Sequence, residues 1–413
     1  MCKSKRDTVS TAPQPQPRQS SSVIPNSTTT TTSSSSATTT ATASSSSSSR
    51  SSLSSLRSSL PESPIIYAFA EISAATNAFL SKPIPSSPPS SPAWRCLLRG
   101  RDAVVHRRSF RSHSDAARLR DRLTSVSRGH HVSLVRLLGA AAAGGGSDHL
   151  YVVYEHVRGA TLSECLRNPR NPEFTVLSTW LSRIQVAADL AQGLEYIHHY
   201  ASAAGPPNRR RTFVHSLLDS SSVLVTEPSV NAKICHFGSS ILAGDVPEEE
   251  LPTDSPPGLE RSDSRTMKIE RTRGYMAPEV GISQKSDVFA LGVVLLELLS
   301  GEEPLKYRFD RETKQYEMVS VIERARGVME STVEIERRGK LRRWMDGRLR
   351  DSFPMEVAER MVRVAMECVE GDAERRPSMK RVAGKVSKLY LESRAWAERM
   401  KMPTEFSVSL APR

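Results

Sequence analysis

The stretch Tyr275-Met276-Ala277-Pro278-Glu279, followed by Lys285-Ser286-Asp287-Val288-Phe289-Ala290-Leu291-Gly292, decides how the rest of the chain is read. From Val288 to Leu299 the residues are apolar nearly all round. Such a run is too short to span a bilayer, so it predicts the buried central helix of a large lobe. Asp287 heads that helix, where an acidic residue is favoured by the positive end of the helix dipole. Upstream, Ile184, Ala187, Leu190, Ala191, Leu194 and Ile197 recur on one face of a helix predicted between Trp180 and Tyr200. Further upstream, Trp94 to Leu98, Ala103 to Val105 and His149 to Tyr154 read as strands. A small β-rich part therefore precedes a larger helical one, an α+β arrangement in two lobes.

Outward from this core the composition changes. Residues 1–60 are mostly Ser, Thr, Ala and Pro, which bury too little apolar surface to offset the entropy of ordering, and predict a disordered tail. The expected division is a tail over 1–60, a domain over 61–392 with its lobes at 61–155 and 156–392, and a C-terminal tail over 393–413. A Pro/Ser insert runs from Pro83 to Pro92. The chain of 413 residues holds five cysteines, Cys2, Cys96, Cys165, Cys235 and Cys368, widely spaced and with no Cys-x-x-Cys pair. That spacing argues against a disulfide framework or a zinc site and predicts a reduced, cytoplasmic setting. The net charge of +12 invites nucleic acid as a partner, but basic residues are scattered among acids and no nucleic-acid-binding pattern organises them. Cys2 with Lys3, Lys5 and Arg6 would hold the chain at the periphery of the plasma membrane if the cysteine were acylated, since a lipid and a basic patch together make a stable anchor.

Four segments stand in the order and spacing of the protein-kinase signature: Val214-His215-Ser216-Leu217-Leu218-Asp219-Ser220-Ser221-Ser222, His236-Phe237-Gly238, Tyr275 to Glu279, and Glu374-Arg375-Arg376-Pro377. Over residues 62–392 the chain resembles a protein kinase. Ile66-Tyr67-Ala68-Phe69 with Ala74-Ala75-Thr76-Asn77-Ala78-Phe79 resembles the entry of plant receptor-like kinases, and Asp351-Ser352-Phe353-Pro354 resembles those of the LysM type. The resemblance implies structural roles for the residues retained. Glu279 is expected to pair with Arg376, Asp287 to accept backbone N–H bonds from the loop around His215, and His215 and Phe237 with Gly238 to join the packing between lobes.

Phosphoryl transfer in this family is mostly positioning and charge stabilisation by a glycine-rich loop, a lysine and two metal ions held by carboxylate and amide oxygens. Where the glycine-rich loop belongs stands Pro85-Ser86-Ser87-Pro88-Pro89-Ser90-Ser91-Pro92, and proline has no N–H to offer a phosphate. His106 stands in place of the lysine. Arg122 replaces the glutamate that would pair with it, and a shift of one residue would put Asp121 there and allow a contact with His106. Leu217 stands for the catalytic base, Ser216 for arginine, Asp219 for lysine, Ser222 for the metal-binding asparagine and His236 for the metal-binding aspartate. Imidazole is a poor ligand for magnesium, which takes hard oxygen donors.

No catalytic residue, metal or cofactor is therefore expected, and any ATP binding would be independent of magnesium. The reading is a catalytically impaired kinase homologue that docks on an active receptor-like kinase. Two alternatives stand beside it: a weakly active serine/threonine kinase in which Asp219 reaches the substrate hydroxyl, the bland reading of Asp219 being a solvated loop carboxylate, and a nucleic-acid-binding protein that rests on charge alone. Ser262, Ser264 and Thr266 are candidate phosphorylation sites, with Arg271 and Arg273 close in sequence.

Overall fold

The computed structural model describes residues 64–87, 91–109, 116–127, 129–143, 149–200, 213–245, 274–279, 281–309 and 314–400. The expected tail over 1–60, the terminal group Cys2, Lys3, Lys5 and Arg6, and Ser262, Ser264, Thr266, Arg271 and Arg273 lie outside the described residues.

The upper lobe is built from β1 (Ile65–Ile66), α1 (Phe69–Ala75), β2 (Ala93–Leu98), β3 (Arg101–Ser109), α2 (Ala116–Ser127), β4 (Leu137–Ala142) and β5 (His149–Glu155). Its sheet has the strand order β1-β4-β5-β3-β2, antiparallel except where β1 runs parallel to β4. Strand alternation separates the two faces of β3. Ala103 and Val105, fully buried, join Tyr67, Ile72, Tyr151 and Val153 in the upper core. His106 and Arg108 are thereby sent to the opposite side, toward the cleft between lobes.

The lower lobe begins with β6 (Gly159–Thr161), α3 (Leu162–Arg167) and α4 (Trp180–Glu195), which passes into a π-helical turn over Tyr196–Tyr200. It continues through β7 (Val223–Thr226), β8 (Ala232–Ile234), α5 (Ser239–Ala243), α6 (Gln284–Ser300), the antiparallel hairpin of β9 (Leu305–Phe309) and β10 (Tyr316–Ser320), α7 (Val321–Met329), α8 (Glu334–Trp344), α9 (Met355–Cys368) and α10 (Met379–Arg399). The run Val288 to Leu299 forms the centre of α6, and every residue from Asp287 to Ser300 is buried. The Ser283 side chain caps the start of α6 by accepting from Ser286 N. Gly301 ends it at φ +71°, where an added Cβ would lie 2.3 Å from Asp346 Oδ2. Both the backbone and the packing require glycine there.

Two sequence expectations need adjusting. Of the strands only β2, β3 and β5 were foreseen: Leu137-Leu138-Gly139-Ala140-Ala141-Ala142 of β4 carries no strand-forming signature, and β1 and β6 to β10 are each five residues or fewer. The tail expected over 393–413 begins too early, since α10 continues to Arg399 with Ser393 and Ala397 fully buried, and Trp180 Nε1 donates to Ser393 Oγ at 2.8 Å. No helix of the described residues is long and apolar enough to cross a membrane.

Candidate functional site

The segment before β2 is tied to the start of that strand. Ile84 N donates to Ala93 O at 2.8 Å, and Ser87 Oγ accepts from Ala93 N at 3.2 Å. The ring of His106 on β3 meets the ring of His236 edge to face, with centroids 4.4 Å apart and planes at 88°. Tyr154 at the end of β5 completes the group, 5.8 Å from His106 and 6.0 Å from His236. Its hydroxyl donates to the carbonyl of Phe237 at 2.9 Å, and burial pushes its pKa far up. His236 has φ +64°, which turns the chain into α5 through Gly238. A Cβ on Gly238 would lie 2.2 Å from Val126 of α2, and its φ is +80°, so no other residue fits between that helix and the loop.

Arg122 and Asp121 lie on different faces of α2. The Arg122 side chain is buried on the face shared with Leu119, Leu123 and Val126, while Asp121 is exposed, so the alternative placing Asp121 against His106 is set aside. A Cβ on Gly244 would lie 3.1 Å from Arg122 Nη1, which places the guanidinium over the end of α5. A second tie from the upper sheet comes from Arg108. Its Nη1 donates to Ser239 Oγ at 2.9 Å and its Nη2 pairs with Asp245 Oδ2 at 2.8 Å, both partners being largely buried. Sequence reasoning missed this pair, although Arg108 lies two positions after His106 and therefore on the same face of β3.

In the loop below, His215 N and Ser216 N donate to Asp287 Oδ2 and Oδ1, each at 2.7 Å. His198 Nε2 lies 2.9 Å from the same carboxylate. Burial alone would raise the pKa of Asp287; the hydrogen bond and charge of His198 outweigh it and hold the carboxyl low. Burial lowers the pKa of His215, whose Nε2 lies 2.6 Å from Cys235 O. Ser216 Oγ and Ser240 Oγ are 2.5 Å apart, which fastens the loop to α5. Leu217 places a half-buried hydrocarbon where the resemblance would put the base.

Asp219 corrects both readings made of it. It is neither solvated nor extended toward a substrate: it is 5% exposed, and its Oδ1 accepts from Ser221 N, Ser221 Oγ and Ser222 N at 2.9, 2.6 and 2.7 Å. A short carboxylate side chain readily satisfies donors two and three residues ahead, and here that turn absorbs it. Ser222 is drawn into the same turn, its Oγ donating to Asp219 O and accepting from Asp219 N.

A second polar cluster lies on the floor. Glu297, fully buried within α6, pairs with Arg167 Nη1 at 2.7 Å and accepts from Tyr275 at 2.7 Å and from Ser220 at 3.2 Å. Burial pushes Glu297 up to about 7, against the charge of Arg167. These residues also escaped the sequence reading, although a lone carboxylate inside the run Val288 to Leu299 demands a buried partner and was the available signal. Further down, Arg376 Nη1 and Nη2 donate to Glu279 Oε1 and Oε2 at 2.6 and 2.7 Å. The guanidinium also reaches the carbonyls of Glu370, Lys285 and Gly371. Among the described residues no group of three or more His, Cys, Asp or Glu is placed to hold a metal ion.

Comparison with known proteins agrees with this architecture. A family model described as protein kinase domain matches residues 104–386. LysM domain receptor-like kinase 3 of Arabidopsis thaliana is 31% identical over 339 residues, 81% of this chain and 48% of that protein. Chitin elicitor receptor kinase 1 of the same plant is 30% identical over 304 residues, 72% of this chain and 42% of that protein. The chain thus spans about half the length of the curated relatives it matches. Among solved structures, the pseudokinase domain of BIR2, an immune regulator of the RLK/Pelle family, superposes with a TM-score of 0.57 at 23% identity, covering 86% of this chain and 99% of that one. At that identity the likeness concerns the fold.

Proposed function

Since the chain belongs to the protein kinase family, we propose that it is a member without phosphoryl transfer that acts by binding within receptor-like kinase complexes. The observation that carries this reading is the edge-to-face contact of His106 with His236 at 4.4 Å. Those are the two positions where an active relative needs a cation for the phosphates and a carboxylate for the metal, and two imidazoles in mutual contact supply neither. The residues present do not fit a nucleotide with magnesium. By the resemblance Arg122 stands in place of the carboxylate that would hold the lysine, and Ser222 is committed to its bonds with Asp219. The burial of Asp219 removes the residue on which a weak kinase activity would depend. With catalysis set aside, what remains is an ordered scaffold and its surface, and the receptor-like kinases it is similar to suggest the kind of partner.

Thermal melting of the full chain with ATP, alone and with magnesium, tests the reading. A ligand at ~100 times its dissociation constant adds about 2.7 kcal/mol of stability, so saturating ATP-magnesium should leave the midpoint unmoved if the site is absent. A magnesium-dependent rise, with label transferred to the chain or to an added substrate, would refute it.

A further inference from the structure

On the lower lobe α7 and α8 pack together and leave between them a shallow, open groove of about 260 Å³, lined by Arg324, Gly327, Val328, Lys340, Arg343 and Trp344. None of the cleft residues described above takes part in it. The charges along α8 are not distributed evenly. Arg337 pairs with Glu359, Arg338 with Glu334 and Arg342 with Asp351. Lys340 and Arg343, three positions apart and therefore on one face of the helix, line the groove and make no ion pair among the described residues. Arg324 adds a third cation from α7, shared with Glu302.

Two further features mark the groove as more than a gap in a basic surface. Trp344 is 5% exposed, and its Nε1 is buried with no acceptor among the described residues. A buried indole N–H ordinarily has one. Gly327 lies in the last turn of α7, exposed, and a Cβ there would meet nothing within 4 Å. Neither packing nor a left-handed backbone calls for that glycine. Its missing side chain leaves the groove open.

We propose that this groove binds a phosphorylated serine or threonine side chain on a peptide segment of a partner protein. A phosphate monoester brings close to two negative charges and three acceptor oxygens, which Lys340 and Arg343 complement without first giving up carboxylate partners. The indole and Val328 supply an apolar wall for the methylene or methyl group that carries the phosphate. A groove of this size matches a single side chain, and the proposal stands whether or not the cleft binds nucleotide.

The test is fluorescence anisotropy of the full chain with a labelled peptide library centred on phosphoserine, beside unphosphorylated and glutamate-centred copies, inorganic phosphate as competitor, and phosphatidylserine vesicles. The expected result is binding of the phosphopeptides, at least tenfold weaker in the K340A/R343A double variant and weaker in G327A, whose melting temperature should not fall. Equal binding of unphosphorylated peptides, no response to these substitutions, or inorganic phosphate matching the peptides in affinity overturns the proposal. Vesicle binding that depends on Lys340 and Arg343, with phosphopeptides inert, overturns it in favour of a membrane surface.

Discussion

Asp346 shows how much depends on single side chains that carry no family signature. It accepts from Arg183 Nη2 at 2.6 Å and from Arg348 Nη2 and N at 2.7 and 2.9 Å. Burial would raise its pKa, but the hydrogen bonds from Arg348 and the charge of Arg183 outweigh it and hold the carboxyl at about 2, below its ordinary 3.8. Burial lowers Arg183 to about 10, which leaves it charged throughout the acid range. A folded-state pKa below the unfolded one adds stability that is present above the unfolded value and is lost as pH falls through the folded one. The contribution is about 2 kcal/mol, fading between about pH 4 and 2. Urea unfolding of the wild type and D346N should therefore differ most near pH 5 and converge toward pH 2; a constant gap would mean that the carboxylate charge is not what stabilises. Nothing in the sequence pointed to Asp346: Arg348 lies two residues along the same turn, but Arg183 comes from α4, 163 residues earlier, and only the fold brings it there. Glu279 with Arg376 could be anticipated, since a motif fixed both positions before any contact was known.

At the scale of elements, α5 is held from above. Arg108 reaches down from β3 to Ser239 and Asp245, and Ser240 meets Ser216 from below. A helix as short as Ser239–Ala243 has little stability of its own, so these bonds decide whether it forms. In R108A, amide hydrogen exchange over 239–243 is expected to rise by at least tenfold while α6 is unaffected. Unchanged exchange would mean that packing against α2 suffices. The long elements were legible from periodicity or from a continuous apolar run, as α4 and α6 show. α5, β4, β7 and β8 were not, being short or built from small residues, and their order comes from neighbours far away in sequence. The register of α2 was left open between Arg122 and Asp121 because a helix reads the same under a one-residue shift until something packs on it.

For the molecule as a whole, the two-lobed plan followed from the order of the motifs, while its end did not. Nothing marks Glu392 as the close of a domain, and α10 runs on because its later residues complete the packing around Trp180. A chain stopping at 392 loses the acceptor of the buried Trp180 N–H, a penalty of about 1–3 kcal/mol, and the contact of Ala397. It should melt below a chain that stops at 400. Equal melting would return the last turns of α10 to the status of a tail.

The hydroxyl of Tyr154 on the carbonyl of Phe237, with the reach of Arg108 to Asp245, joins the upper sheet to the segment below it. An enzyme that turns over must part its lobes to exchange product for substrate, and ties of this kind would slow every cycle. On the reading proposed above, in which no nucleotide is released, the same ties would restrain the hinge and keep one outline presented to solution. A protein meeting that outline does not have to wait for the right conformer, and less ordering entropy is lost when the two associate.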